Sequence, residues 1–528
     1  AAPQPPAASR PLTAAGHVPD DASRVVRTSA GAVRGEQEYG YRTFEGIPYA
    51  APPTGEQRFR PPQPVQPWSG VRDATEPGSA CAQIQRSRFT GSLDEDCLSL
   101  NVTTPADPNR RGRGLPVMVW IHGGSFNAGT GSEYNGGELA LLGDVVVVTV
   151  NYRLGPLGFL AHPALTAEGG AGGSGNLGLQ DTQAALRWVQ REIAAFGGDP
   201  RRVTVFGESA GAGMVCANLV SPASAGLFSR AIAQSFSCSS TLPTQAQAEA
   251  VGLQVAARAG CADAATAAAC LRALGTEELL RAGQPAGYTP VIGGALLPLQ
   301  PAEALATGLY NRVPLIHGNN RDESRLFTPA VYGASITPER YEEIVRTLYG
   351  ANADAVLARY PLSDYESPIV ALSTLQTDAP FGWPFAVLAT CEHVQAYDLL
   401  AANRGQRVYA YQFRDRTAPP WLDFPGMEEG AQHATELPYL FPGFFPEAGL
   451  TAEQERLSRG MVLYWTNFAR RGNPNGFGLP TWPRYRHSHD VLGLDLRSQG
   501  GIRPVDVAAE SQCDFWHDLE EGAAATGV

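Results

Sequence analysis

The stretch Val203-Thr-Val-Phe-Gly207-Glu208-Ser209-Ala210-Gly211 constrains the fold more than any other part of the chain. It sets G-x-S-x-G directly behind an apolar, β-branched run and in front of a helical pattern. The motif alone recurs by chance in long chains; the strand before it and the helix after it give it meaning. A sharp strand-to-helix turn strains the serine backbone and needs small neighbours for the chain to pass. Such a turn lifts the hydroxyl above the sheet and aims the free N–H groups of the helix start at the same place.

Other apolar runs repeat the alternation. Pro116–Ile121, Val145–Val150, Val203–Phe206, Arg230–Gln234, Val313–Ile316 and Val408–Phe413 read as buried strands. Leu186, Val189, Ile193 and Phe196 recur at helical spacing until Gly197-Gly198 stops them. Strands alternating with helices predict an α/β fold with a large, mostly parallel sheet covered on both faces. Gly169–Gly175 lacks the Gly-Lys-Ser/Thr ending of a phosphate loop and reads as a surface loop. Residues 1–23 and 519–528 lack hydrophobic periodicity and are expected to be mobile, leaving a single domain over 24–518.

Composition closes off several functions. All 40 basic residues are arginine, which excludes a Schiff-base or pyridoxal-phosphate lysine and a P-loop lysine. The net charge of −12 opposes binding to nucleic acid. No apolar run reaches the ~18 residues of a membrane helix. The Ala/Pro-rich start resembles the end left by a removed signal peptide, and eight cysteines suit an oxidising compartment. A secreted protein is expected, and the Arg-only, Ala/Gly-rich composition points to a bacterium with a GC-rich genome.

A serine hydroxyl needs a general base to become a nucleophile. Of nine histidines, His433 in GAQHATELPYLF follows the last strong strand and is the best candidate by chain order. His122 and His317 close strands and are expected near the site without acting as base. The orienting acid belongs between serine and histidine, after a strand. There Pro314-Leu-Ile-His-Gly-Asn-Asn-Arg-Asp322-Glu323 offers two carboxylates, which the residues alone do not separate. Trp120-Ile-His-Gly-Gly124-Ser125-Phe126 ends another strand with small residues, as an oxyanion-binding turn does. An imidazole base predicts loss of activity below about pH 6 to 7.

Together these residues resemble the type B carboxylesterase/cholinesterase family of α/β-hydrolases. The likeness runs from about Val26 to Phe515 through FEGIPYAAPPTGEQRF, EDCLSLNV, WIHGGSF, NYRLGPLGF, GNLGLQDTQAALRWVQREIAAFGGDP and GESAGAG. It implies an ester hydrolase with a catalytic Ser209, Glu323 and His433, and so chooses Glu323 over Asp322. It implies oxyanion donors at the N–H groups of Gly124, Ser125 and Ala210, and supporting charges at Glu208 and Glu436. It also implies disulfides Cys81–Cys97, Cys261–Cys270 and Cys391–Cys513, with Cys216 and Cys238 either thiols or a fourth bridge. No metal or cofactor is implied. The expected partner is a small-molecule ester, and the chain is expected to be a monomer or weak homo-oligomer.

Departures from the family bear on substrate. In true cholinesterases the first cysteine loop is longer and carries a tryptophan that stacks on quaternary ammonium. Here it reads AQIQRSRFTGSLDED, without Trp. Two aromatics after the family's glutamate are replaced by Leu326 and Phe327, with Arg325 before them. Guanidinium groups repel a cationic substrate, so choline esters are not expected. Arg88 or Arg325 either reads a substrate carboxylate or pairs with a nearby acid. Phe381 and Trp383 either line an acyl or alcohol pocket or belong to the core. Helical insertions around 240–310 and 330–400 are expected to form a gorge over the site. A lipase is a second reading, and a non-catalytic adhesion module, which typically lacks the serine, a third.

Overall fold

The computed structural model describes residues 24–86, 88–108, 114–444 and 449–526. The expected mobile segment 1–23 lies outside them. An eleven-stranded sheet organises the chain. In chain order its strands are β1 (Glu36–Gln37), β2 (Tyr41–Pro48), β3 (Ser99–Pro105), β4 (Leu115–Ile121), β5 (Val146–Val150), β6 (Gly198–Glu208), β7 (Arg230–Gln234), β8 (Leu315–Asn320), β9 (Val408–Phe413), β10 (Val491–Leu494) and β11 (Arg503–Val505). Their spatial order is β11-β10-β9-β8-β7-β6-β4-β5-β3-β2-β1. Strands β4 to β10 pair in parallel, and antiparallel strands close both edges.

The parallel strands are buried on both faces, which is why β4 and β5 read as almost continuous apolar runs. On one face pack α1 (Leu177–Glu192) and α2 (Ala210–Val220). On the other packs α3 (Ala452–Arg471), whose Trp465 is fully buried with Trp120, Trp482 and Tyr439. A capping box of Thr451 and Gln454 starts α3. The predicted helical spacing runs past Glu192 into a 3₁₀ turn, Ile193–Phe196, which Gly197 ends at φ 89°.

The strand expected over Val313–Ile316 lies two residues later. Pro314 has no N–H to give, so the ladder to β9 begins when Leu315 donates to Arg407 O at 2.9 Å. It then continues through Gly318 and the polar His317, Asn319 and Asn320, all buried. The last helix, Cys513–Thr526, extends into the segment expected to be a mobile tail.

All eight cysteines are bridged, as Cys81–Cys97, Cys216–Cys238, Cys261–Cys270 and Cys391–Cys513. The second bridge resolves the alternative left open by the sequence. It ties α2 to the loop after β7. Helices fill both insertions, among them Gln245–Arg258, Pro338–Tyr349 and Pro368–Asp378.

Candidate active site

Ser209 sits between β6 and α2 with φ 57° and ψ −127°, a conformation side chains rarely adopt. The strain is held from both sides. Its N–H donates to Gln234 O at 2.8 Å, and its carbonyl accepts from Gly213 N–H at 3.0 Å. The flanking glycines are a matter of space. A Cβ on Gly211 would lie 2.0 Å from Ile121 O, and one on Gly207 would lie 2.6 Å from the same oxygen. The turn therefore passes against the end of β4 only with bare backbone.

That end of β4 supplies the facing loop. Gly124, Ser125 and Phe126 all have positive φ, at 108°, 55° and 59°. Gly124 and Ser125 line the same cavity as Ser209. Ala210 opens α2, so its N–H has no acceptor within the helix. His122 is fully buried there, stacked on Tyr152, and burial pushes its pKa down to about 4.

His433 follows β9 on a loop and lines the cavity with Ser209. Its Nδ1 lies 2.6 Å from Glu323 Oε2, and its Nε2 lies 3.0 Å from Glu208 Oε1. The other Glu323 oxygen accepts from Asn320 N–H at 2.7 Å. Glu436 completes a buried acid cluster, accepting from Gln234 Nε2 at 3.0 Å and Asn320 Nδ2 at 2.8 Å. Gln234 is held in turn by the Trp465 indole N–H at 3.0 Å. Burial drives the pKa of Glu208 and Glu436 up, and the neighbouring acids add to it. Burial would lower His433, but Glu208 and Glu323 outweigh it and raise the imidazole to about 9. The acids that crowd the ring come from three separate segments of the chain, so the shift from the ordinary value of about 6.5 has no local signature in the sequence.

The cavity encloses about 90 Å³. Leu326 and Phe327 line it, and the Phe327 ring lies 5.0 Å from His433. Four more aromatic walls carry no local sequence signal: Phe89, Tyr134, Trp421 and Phe444. They form a ladder, with Tyr134 stacked on Phe444 at 4.5 Å, Phe444 beside Trp421 at 5.4 Å and Trp421 beside Phe89 at 5.6 Å. Arg88 is exposed, its guanidinium 5.8 Å from the Trp421 ring.

Three sequence candidates fall elsewhere. Arg325 is only 4% exposed, forms ion pairs with Asp322 and Glu428, and does not line the cavity. Phe381 packs against Tyr349 and Trp516 in a satellite core. Trp383 is buried beside Tyr332 and Phe385. Neither ring lines the cavity. The 330–400 insertion reaches the site at one remove, through Phe385 stacked on Phe327 at 4.3 Å. Among the described residues, the one His/Cys/acid grouping tight enough for a metal ion is Cys216, Cys238 and His317, and its two sulfurs are joined to each other.

A parallel-centred sheet with a strained serine at the end of a central strand defines an α/β-hydrolase. The "Carboxylesterase family" matches residues 22–516, and the chain belongs to that family. It is 37% identical to a "Cocaine esterase" of Homo sapiens, over 93% of this chain and 91% of that one. It is 36% identical to a "Fumonisin B1 esterase" of Sphingopyxis macrogoltabida, over 92% and 89%. A solved "PNB ESTERASE" superposes with a TM-score of 0.76 at 33% identity, covering 93% of this chain and all of that one. The protein is a carboxylesterase, hydrolysing carboxylic esters.

Proposed function

We propose that the chain cleaves small-molecule carboxylic esters through an acyl-enzyme formed on Ser209. The observation that carries this reading is the single cavity shared by the strained Ser209 and by His433, whose Nδ1 is bonded to Glu323. His433 takes the Ser209 proton as Oγ bonds to the ester carbonyl carbon. Glu323 holds the ring's tautomer and stabilises the imidazolium. The N–H groups of Gly124, Ser125 and Ala210 receive the oxyanion. The C–O bond to the alcohol breaks as His433 returns the proton, and water activated by the same imidazole then releases the acid. Glu208 and Glu436 tune the charge around the ring.

Substrates are esters with short- to medium-chain or bulky apolar groups, matched to the aromatic walls. Relatives named "Pyrethroid hydrolase Ces2e", "Cocaine esterase" and "Fumonisin B1 esterase" support a small-molecule ester as substrate. Choline esters are poor substrates, because Arg88 already occupies a face of Trp421 and adds a repelling charge. The four disulfides support work in an oxidising, extracytoplasmic compartment. Among the described residues, no helix is long and apolar enough to cross a membrane.

The test is the initial rate on p-nitrophenyl acetate, butyrate and octanoate at pH 8.5, beside Ser209→Ala. Turnover that disappears with the serine supports the reading. An unchanged rate in the variant refutes it.

A further inference from the structure

Glu323 has a neighbour in a second, partly buried cluster of opposite character. Asp322 and Ala431 bond to each other twice. The Asp322 N–H donates to Ala431 O at 3.0 Å, and Asp322 Oδ2 accepts from Ala431 N–H at 3.0 Å. Ala431 lies two residues before His433. Arg416, just past β9, donates from Nε to the same Oδ2 at 3.2 Å and from Nη2 to Glu428 Oε2 at 2.9 Å. Arg325 places Nε 3.4 Å from Asp322 Oδ1, and its Nη1 donates to Glu428 O at 2.7 Å. Gly430 lets the loop close on this carboxylate: its φ is 62°, and a Cβ there would lie 2.6 Å from Asp322 Oδ2. The contacts join the turn carrying Glu323, the exit of β9 and the loop carrying His433.

We propose that Asp322 is a positioning residue, and that its clamp with Arg325, Arg416 and the 428–431 loop sets the contact between Glu323 and His433. The inference deepens the proposed function and rests on His433 being the base. Two arginines crowded on one buried carboxylate hold the loop most tightly while that carboxylate is charged. Neutralising it leaves the guanidinium groups short of an anion and releases the loop. Misplacement by about an ångström costs up to about a hundredfold in rate even when it arises away from the chemistry.

Asp322→Asn and Arg416→Gln are compared with wild type on p-nitrophenyl butyrate across pH 5 to 10, below the unfolding temperature of each. Active sites are counted with a p-nitrophenyl phosphonate, so that loss of folded protein is not read as loss of rate. The expected result in both is a kcat lowered about ten- to a hundredfold per competent site, with KM changed less than about threefold. Both variants also move the acid limb of kcat/KM to lower pH. The reason is that His433 loses part of Glu323, while Glu208 and Glu436 still face it.

The pair of variants separates positioning from plain field effects. Through space alone, losing the Asp322 charge lowers the His433 pKa, whereas losing the Arg416 charge raises it. Acid limbs that move in opposite directions overturn the inference, as does an unchanged kcat per competent site with only a lower Tm. Should Asp322→Asn fail to fold, Arg416→Gln decides alone, because only a loosened clamp moves its limb downward. If Ser209→Ala keeps wild-type activity, the proposed function itself is wrong and the inference falls with it.

Discussion

Asp322 and Glu323 are adjacent in sequence and both buried, yet they belong to clusters built on opposite plans. Around Glu323, three carboxyl groups share one imidazole, and the pKa values of Glu208, Glu436 and His433 are all pushed up. Around Asp322, burial also opposes the charge, but Arg325, Arg416 and Arg321 overcome it and hold the carboxyl below its usual range. A cluster short of cations favours the protonated form of the groups in it. A cluster rich in them stays ionised and holds a shape. Adjacent residues have been given these two tasks by the sign of their neighbours.

The largest expected effect comes from breaking the proton-holding side alone. Glu323→Gln keeps the Asp322 clamp but removes the charge facing His433 Nδ1. It should lower kcat by about 10⁴, as loss of the orienting carboxylate does in serine hydrolases. A loss under tenfold, measured on p-nitrophenyl butyrate, would mean that Glu208 is the acid that matters.

Next in size, the Asp322 and Arg416 variants weaken the shape-holding side and should cost ten- to a hundredfold.

The pH profile sharpens the contrast. A raised His433 pKa means that the free base appears only as pH rises, so kcat/KM should still be climbing above pH 7. Glu208→Gln removes one raising charge and should move that limb toward the ordinary imidazole value of about 6.5. A wild-type profile already flat from pH 6 would contradict the acid-rich picture.

Stability should follow the same sign. Groups with raised folded pKa values contribute stability at low pH that is lost as pH rises through those values. Tm should therefore fall between pH 7 and 9, and less so in Glu208→Gln. Asp322, with its lowered pKa, contributes stability that is lost only on acidification below its ordinary range near 4.

The smallest effect is expected at Arg88. Arg88→Ala should change the rate on a neutral ester by less than about threefold, since the side chain is exposed and is not part of the cavity wall. A larger change confined to anionic esters would show that it reads a substrate charge.

Much of this was legible in the sequence because it is local. The strand–G-x-S-x-G–helix run, the glycines after Trp120 and the alternation of apolar strands each depend on neighbours within a few residues. Polar strand residues such as His317 and Asn319 were not legible, because their burial is decided by helices far along the chain. The aromatic ladder was hidden for the same reason: Phe89, Tyr134, Trp421 and Phe444 come from separate loops. Arg325 could be seen as a charge near the site, but its partner Glu428 lies 103 residues on. The three disulfides implied by resemblance are present, while Cys216–Cys238 needed the fold to bring α2 to the loop after β7.

The most direct test of the account is covalent capture of the nucleophile. The folded protein is treated with a p-nitrophenyl alkylphosphonate, released nitrophenolate is counted, and the labelled peptide is located by mass. The account predicts one nitrophenolate per chain, one phosphonyl group on Ser209, and parallel loss of ester hydrolysis. Label on another residue, or full hydrolysis by a chain phosphonylated at Ser209, would contradict it.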